Sequence, residues 1–412
     1  MLTALEKENL KTLAKKYAEI AWLPAQQERI ELWKALNRGA MKRPMIVFDQ
    51  LPWHELNDDG SLTLTTEDPF WRGMENFMRM TIYKWNRFSA DMVVEPVLPV
   101  PMAVAGAHYG IHTEEENIAT DSKNDVVSHR YHNQLVNDED VLKIKDMDVK
   151  HDEDETERRL NEAEDLFNGI IQVRPKGVIF HLGSWDKIST MMGVTQAYTD
   201  LVDRPEFIHK IMRRFTDATL KGIGQINKLK AYDCNENTCH CSYVYTDDLL
   251  PGVSEGRGME TENSWAFGLA QLFSSVSPAM TEEFEFPYIS ELAAHFGGIY
   301  YGCCDRLDDR IDLVKQIPNV KKVSCSPWSV REAFAERLGG GLVMSAKPSP
   351  AFIAGSAPDY KTVASDLTRT VKAAEKYNVR LEIILKDIST VNYEPERLTE
   401  WSKIAASIVG GA

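Results

Sequence analysis

The sequence predicts an α/β protein built as one (β/α)8 barrel over residues 41–412, preceded by a helical extension over residues 1–40. Three observations carry this. Short β-rich apolar runs alternate with amphipathic helical stretches, eight times in all. The runs are mostly continuous rather than alternating in hydrophobicity, as expected of parallel strands covered on both faces. No glycine-rich phosphate loop follows any of them, which disfavours the open dinucleotide-binding sheet as the other doubly covered arrangement.

In the extension, Leu10, Leu13, Ala14 and Tyr17 recur at helical spacing among lysines and glutamates. The eight strand candidates are 45–50 (MIVFDQ), 91–100 (DMVVEPVLPV), 177–183 (GVIFHLG), 241–246 (CSYVYT), 298–303 (GIYYGC), 320–326 (VKKVSCS), 341–346 (GLVMSA) and 380–387 (RLEIILKD). Helix starts are expected at Asp203 with Glu206 and Pro205, at Ser277 before Pro278, and at Ser329 with Glu332. Val363, Leu367, Val371 and Ala374 make one apolar stripe on a late helix that should stop at Asn378. The charged segment 138–165 reads as a solvated connection followed by a helix.

Composition narrows the function classes. The chain has 412 residues, 47 Lys+Arg against 62 Asp+Glu, and a net charge of −15. Phosphate recognition needs a concentrated basic face, so nucleic acid is not an expected partner. Hydrophobic residues make up 43 %, enough for a core, yet no apolar run approaches the ~18 residues of a membrane span. The start carries no apolar secretion signal, so the expected compartment is the cytoplasm, with reduced thiols. The six cysteines (Cys234, Cys239, Cys241, Cys303, Cys304 and Cys325) then raise the question of a metal or a reactive sulfur.

Barrel chemistry sits at the C-terminal ends of strands, and seven of the eight runs deliver ionisable or sulfur groups there. The first run leads into Trp53, His54 and Glu55, and a histidine beside a carboxylate can serve as ligand, base or proton shuttle. The third gives His181, Trp185 and Asp186; the fourth gives Tyr245, Asp247 and Asp248, with Asp248 a candidate acid. The fifth gives Cys303 and Cys304, soft ligands or nucleophiles. On a strand only one of the two would face the axis; a loop beginning at Gly302 would let both turn to the rim. The sixth supplies Cys325 and Trp328, the seventh Lys347, the eighth Lys386 and Asp387. The lysines suit an anionic substrate group or a carboxylate of the site, and Trp53, Trp185, Trp265 and Trp328 suit an aromatic pocket. In CHC at 239–241, strand alternation puts Cys239 and Cys241 on one face and His240 on the other.

Several stretches resemble the uroporphyrinogen decarboxylase superfamily. GVIFHLGSWDKISTMMGV followed by TDLVDRPEFIHKIM resembles its third strand, loop and following helix. AQLFSSVSPAMTEEFEFPYI is similar to the segment after its fourth strand, and GLVMSAKPSPAF to a later strand. The likeness spans about residues 40–410. It implies a (β/α)8 barrel and either decarboxylation or methyl transfer assisted by zinc and a corrinoid. The arginine-rich N-terminal motif of the porphyrinogen decarboxylase is missing, since the matching region reads RPMIVFDQLPWHEL. At the His-x-Cys pair of the zinc methyltransferases, Tyr301 stands for the histidine and Cys303 matches the cysteine. The late cysteine position falls in LKDIST, at Lys386 and Asp387.

The resulting expectation is a methyltransferase moving a methyl group between a small methylated substrate and a corrinoid carried by a partner protein. Cys303 and Cys304, with His54 as a further ligand, would hold a metal such as zinc. His54, Glu55, Tyr245, Asp248 and Asp387 are the candidate catalytic groups. Trp53, His181, Trp185, Trp328, Lys347 and Lys386 are the candidate substrate contacts. A decarboxylase or lyase using a lysine and Asp248, and a non-catalytic corrinoid- or tetrapyrrole-binding barrel, are the other readings; an oligomer is compatible with each.

Overall fold

The computed structural model describes residues 2–118, 127–233, 237–249 and 260–410. Its centre is a six-stranded parallel sheet. The strands are β1 (Met45–Phe48), β2 (Trp265–Gly268), β3 (Gly298–Tyr301), β4 (Val320–Cys325), β5 (Val343–Ala346) and β6 (Arg380–Leu385), hydrogen-bonded in the order β1-β6-β5-β4-β3-β2. Alternation sorts the side chains. Ile46, Phe48, Ala266, Ile299, Tyr301, Val323, Cys325, Met344, Leu381 and Ile383 face a shell of helices, burying against Phe334, Leu367, Leu398 and Trp401. Met45, Val47, Trp265, Phe267, Tyr300, Val343 and Ile384 face inward.

This arrangement is a half-barrel, and the eight-stranded closed barrel is not formed among the described residues. Five expected strands stand where the apolar runs place them. The run at 91–100 forms a strand only over Val97–Pro101, paired in parallel with Gln172–Lys176 outside the main sheet. Pro96, Pro99 and Pro101 lack the N–H that a central strand must donate. Only one backbone bond, Asp91 N to Ile46 O, links this stretch to β1. The run at 177–183 makes two isolated bridges, Val178 with Tyr232 and His181 with Phe267. The run at 241–246 is part of a short antiparallel hairpin, Thr238–Cys239 with Ser242–Tyr243. Strand β2, four residues between Ser264 and Leu269, is too short for its apolar pattern to mark it in the sequence.

The hairpin takes up the interior. Cys239, Cys241, Val244 and Tyr245 pack with the inward residues of the sheet and with Trp33 and Leu36. Those two come from helix α2 (Pro24–Asn37), whose Asn37 amide donates to the carbonyls of Tyr243 and Tyr245. Beneath the hairpin lies a fully buried ion pair. Lys322 Nζ is 2.6 Å from Glu382 Oε2 and also donates to Ser242 Oγ and the Tyr243 carbonyl. Helix α1 (Ala4–Ala21), capped by the reciprocal Thr3–Glu6 pair, packs on the helix Pro69–Phe88.

The helix signals fare unevenly. Ser277 caps its helix through Met280 N, and the Val363–Ala374 stripe is buried, with Asn378 in the left-handed region at φ 53° after the helix end. Asp203 instead closes the preceding helix, and Pro205 opens the next without a side-chain cap. Ser329 turns its hydroxyl to Ser326, and that helix starts at Arg331. The segment 138–165 is less solvated than its charge suggests: Val141, Ile144, Met147 and Val149 are buried. No helix of the described residues is long and apolar enough to cross a membrane.

Candidate active site

At the C-terminal end of β3 the chain turns at Gly302, φ 88°, where a Cβ would sit 2.6 Å from Leu307. This left-handed residue ends the strand alternation. Both following thiols therefore face the same site, with Cys303 Sγ and Cys304 Sγ 3.7 Å apart. β6 delivers Lys386, and the next residue, Asp387, is again left-handed at φ 55°. Lys386 Nζ lies 2.7 Å from Cys303 Sγ and 2.9 Å from His240 Nε2; His240 Nε2 is 3.5 Å from Cys303 Sγ. On the other side, Cys304 donates to Asp387 Oδ2 at 2.7 Å.

The two thiols are chemically unequal. The hydrogen bond from Cys304, together with His240 and Lys386, holds Cys303 far below the usual thiol range despite its burial. Its partner Cys304 is pushed up, by that same bond, by burial and by the Asp387 carboxylate. Of the two, Cys303 is the more acidic, and Cys304 is the one that donates. Burial alone would lower His240, but hydrogen bonds to Cys241 and Cys303 raise it to about 9. Its ring stacks on Phe267, with centroids 3.9 Å apart and planes 5° from parallel.

Deeper in the half-barrel a second polar chain begins. Cys241 Sγ is 3.5 Å from the Tyr300 hydroxyl, which is 2.7 Å from Ser345 Oγ; Lys347 Nζ bonds both the Ser345 and Tyr300 hydroxyls. Burial raises Tyr300, and the neighbouring Cys241 adds to the effect. His240 thus connects two buried sulfur groups, Cys303 at the rim and Cys241 below.

The sequence-derived candidates separate accordingly. Cys303, Cys304, Asp387 and Lys386 come together. His181 stands exposed at the edge of the group, its ring 6.4 Å from His240 and 4.8 Å from Phe267; partial desolvation, with His240 and Lys187 nearby, holds it below the usual imidazole range. Of the two lysines, Lys386 pairs with a carboxylate of the site, Asp387 at 3.4 Å, and is also held by Cys303 and His240; Lys347 differs from expectation, being fully buried in hydrogen bonds to Ser345 and Tyr300.

Tyr245 and Asp248 lie at the opposite end of the sheet. The Tyr245 carbonyl meets Asn37, and Asp247 pairs with Lys34 at 2.8 Å, both on α2. The end of α2 touches Arg380, the first residue of β6. Asp248 is exposed there and Tyr245 donates to Glu95. Reading 241–246 as a parallel strand reversed the direction in which this segment points. Trp185 is fully buried with its indole N–H on the Phe284 carbonyl, Trp53 packs on Tyr83, and Trp328 is 74 % exposed, so they form no shared pocket wall. Glu55 is buried as a hydrogen-bond acceptor for residues 390–393, and His54 lies beside it at 3.6 Å. Among the described residues, His54 is outside the donor trio formed by Cys303, Cys304 and Asp387. Cys234 lies outside the described residues.

Sequence reasoning missed that His240 joins Cys303. The CHC fragment was visible, but φ 55° at His240 breaks the alternation used to point it elsewhere. Tyr300 and Ser345 had no signal, being polar groups inside apolar strands.

No protein-family model matches the chain, and no curated protein does. Among solved structures it is similar to a methyltransferase from Methanosarcina mazei, at 11 % identity and a TM-score of 0.49, over 91 % of this chain and 97 % of that one. A likeness of that degree decides neither family nor chemistry.

The donor set suits a thiophilic divalent metal. The ligand atoms of Cys303, Cys304 and Asp387 all lie within 4.8 Å of one another, and two sulfurs with a carboxylate are among the usual donors of zinc. Three protein donors leave a position open, the pattern of catalytic sites.

Proposed function

We propose that the protein is a cytoplasmic methyltransferase that takes a methyl group from a small methylated substrate, with a corrinoid on a partner protein as acceptor, at a zinc site made by Cys303, Cys304 and Asp387. The observation supporting this reading is the convergence of those three donors at the C-terminal rim. When bound, the metal supplies Lewis-acid polarisation of the heteroatom that gives up its methyl group. The protein's own groups prepare the site. Lys386 and His240 keep Cys303 deprotonated, so that a ligand is ready. Asp387 accepts a hydrogen bond from Cys304 and so holds the second sulfur beside the first; the Cys304 proton would leave to solvent on metal binding, with Asp387 remaining a carboxylate ligand. The hairpin and the stacked Phe267–His240 pair form the floor of the site.

The decarboxylase reading loses its components here, because Asp248 is at the far end and Lys347 and Lys386 are engaged. The test is elemental analysis of the purified protein with methyl transfer to cob(I)alamin. About one zinc per chain, lost together with activity in the Cys303→Ser, Cys304→Ser double variant, is the expected result. A metal-free protein with full activity overturns the proposal.

A further inference from the structure

The loop after β6 is unusual in its backbone. Asp387, Asn392 and Tyr393 all have positive φ, at 55°, 53° and 58°, and none is glycine. Gln50, which faces this loop after β1, is also left-handed at 47°. Each such residue costs roughly 1–2 kcal/mol and persists only where its surroundings fix it. One side chain does much of the fixing. Glu55, 6 % exposed, accepts from Thr390 Oγ1 at 2.7 Å through Oε1, and from Val391 N at 2.6 Å and Tyr393 N at 3.3 Å through Oε2. At the loop's start, Ile388 N donates to the Gln50 carbonyl at 3.1 Å. The six residues Ile388–Tyr393 are thus held at both ends by the segment that follows β1, with Asp387 immediately before the first tether.

We infer that Glu55 is a positioning residue for the metal centre: by anchoring residues 390–393 it sets the left-handed turn at Asp387 and so delivers that carboxylate to Cys304. The inference rests on the zinc reading above for its metal readout, and on the Cys304–Asp387 contact for a readout without metal. Glutamine at position 55 keeps size and one acceptor oxygen. It replaces the other by an NH2 group that can donate to the Thr390 hydroxyl, so what is lost is the carboxylate charge that strengthens the bonds from Val391 N and Tyr393 N. Outer-shell partners of this kind are typically worth 10–100-fold in metal affinity.

The experiment is a cycle of wild type, Glu55→Gln, Asp387→Asn and the double variant. Zinc affinity is read by competition with a chromogenic chelator, and iodoacetamide alkylation of Cys304 is read in the metal-free protein by peptide mass. Glu55→Gln should weaken zinc at least tenfold, and the double variant should bind no more weakly than Asp387→Asn alone. Its Cys304 alkylation rate should match that of Asp387→Asn. A Glu55 that served only stability would instead give independent, multiplying effects, and that result overturns the inference, as does wild-type zinc affinity in Glu55→Gln. If the wild-type chain takes up no zinc, the functional reading fails, and the alkylation cycle alone decides the role of Glu55: a wild-type rate in Glu55→Gln overturns it. Thr390→Val, which removes a single tether, guards against a misfolded Glu55 variant and should shift both readouts the same way by a smaller factor.

Discussion

Replacing Lys322 by methionine tests the interior of the half-barrel. Both members of the Lys322–Glu382 pair are completely buried, and burial lowers the lysine's affinity for its proton against the pull of Glu382. The ammonium donates to Glu382 Oε2 at 2.6 Å, Ser242 Oγ at 2.7 Å and the Tyr243 carbonyl at 2.9 Å. Methionine fills nearly the same volume, so the cost is electrostatic rather than a cavity. Glu382 would keep only its bond from Ser242, since its other oxygen already has no partner. Removing one member of a buried pair costs about 3–5 kcal/mol, whereas replacing both by apolar groups is often neutral. Lys322→Met should therefore lower the urea midpoint strongly and open Cys239 and Cys241, now 2 % and 4 % exposed, to a thiol reagent. Lys322→Met with Glu382→Leu should recover at least half of the loss. A single variant costing under about 1 kcal/mol, or a double variant as unstable as the sum of the singles, refutes the argument.

Other outcomes follow from the same geometry. Burial, against a hydrogen bond from Gln271 N, pushes Asp186 up to about 6, with Asp305 and Cys303 contributing. A carboxyl raised in the folded state gives stability that is complete below its ordinary value near 4 and is lost as pH rises through about 6. Asp186→Asn should therefore gain on wild type across pH 4–6 and hold that gain at pH 7; parallel pH profiles count against it. Trp185→Ala should destabilise by about 3–5 kcal/mol in denaturant titration, because the ring is fully buried, while Trp328→Ser should change stability by less than about 0.5 kcal/mol and leave zinc content intact. Lys386→Met in the metal-free protein should slow alkylation of Cys303 at pH 6 by tenfold or more, because the nearest cation holding the thiolate is lost; an unchanged rate counts against the assigned thiolate.

What the sequence disclosed follows from how each feature is encoded. β1 and β3–β6 are visible because each carries an apolar run on both faces, even where β4 and β6 interrupt it with the buried Lys322 and Glu382. The rim residues Cys303, Cys304, Lys386 and Asp387 were visible because strand ends expose whatever follows an apolar run. Tyr245 and Asp248 were misplaced because a hairpin of two-residue strands and a parallel strand share the same local text, CSYVYTDD. The prolines at 96, 99 and 101 marked the failed strand, and were outweighed by the valines between them. His240 was lost for a different reason: its direction is fixed by a positive φ, which no periodicity reports.

The position of that histidine links the open fold to the site. A closed eight-stranded barrel fills its interior with side chains from every strand. Here, among the described residues, six strands form an open sheet, and the hairpin Thr238–Tyr243 packs against its inner face. Backbone inside a core brings polar groups that need partners, and Lys322 and Asn37 supply them for the Tyr243 and Tyr245 carbonyls. The tip of the hairpin then reaches what the strands alone do not: an imidazole between a rim thiolate and a buried thiol. Cys303 and Cys304 would be two unremarkable buried cysteines on a closed barrel. The inserted hairpin, which brings His240 to Cys303, and the Glu55-anchored loop, which brings Asp387 to Cys304, make the two sulfurs chemically unequal.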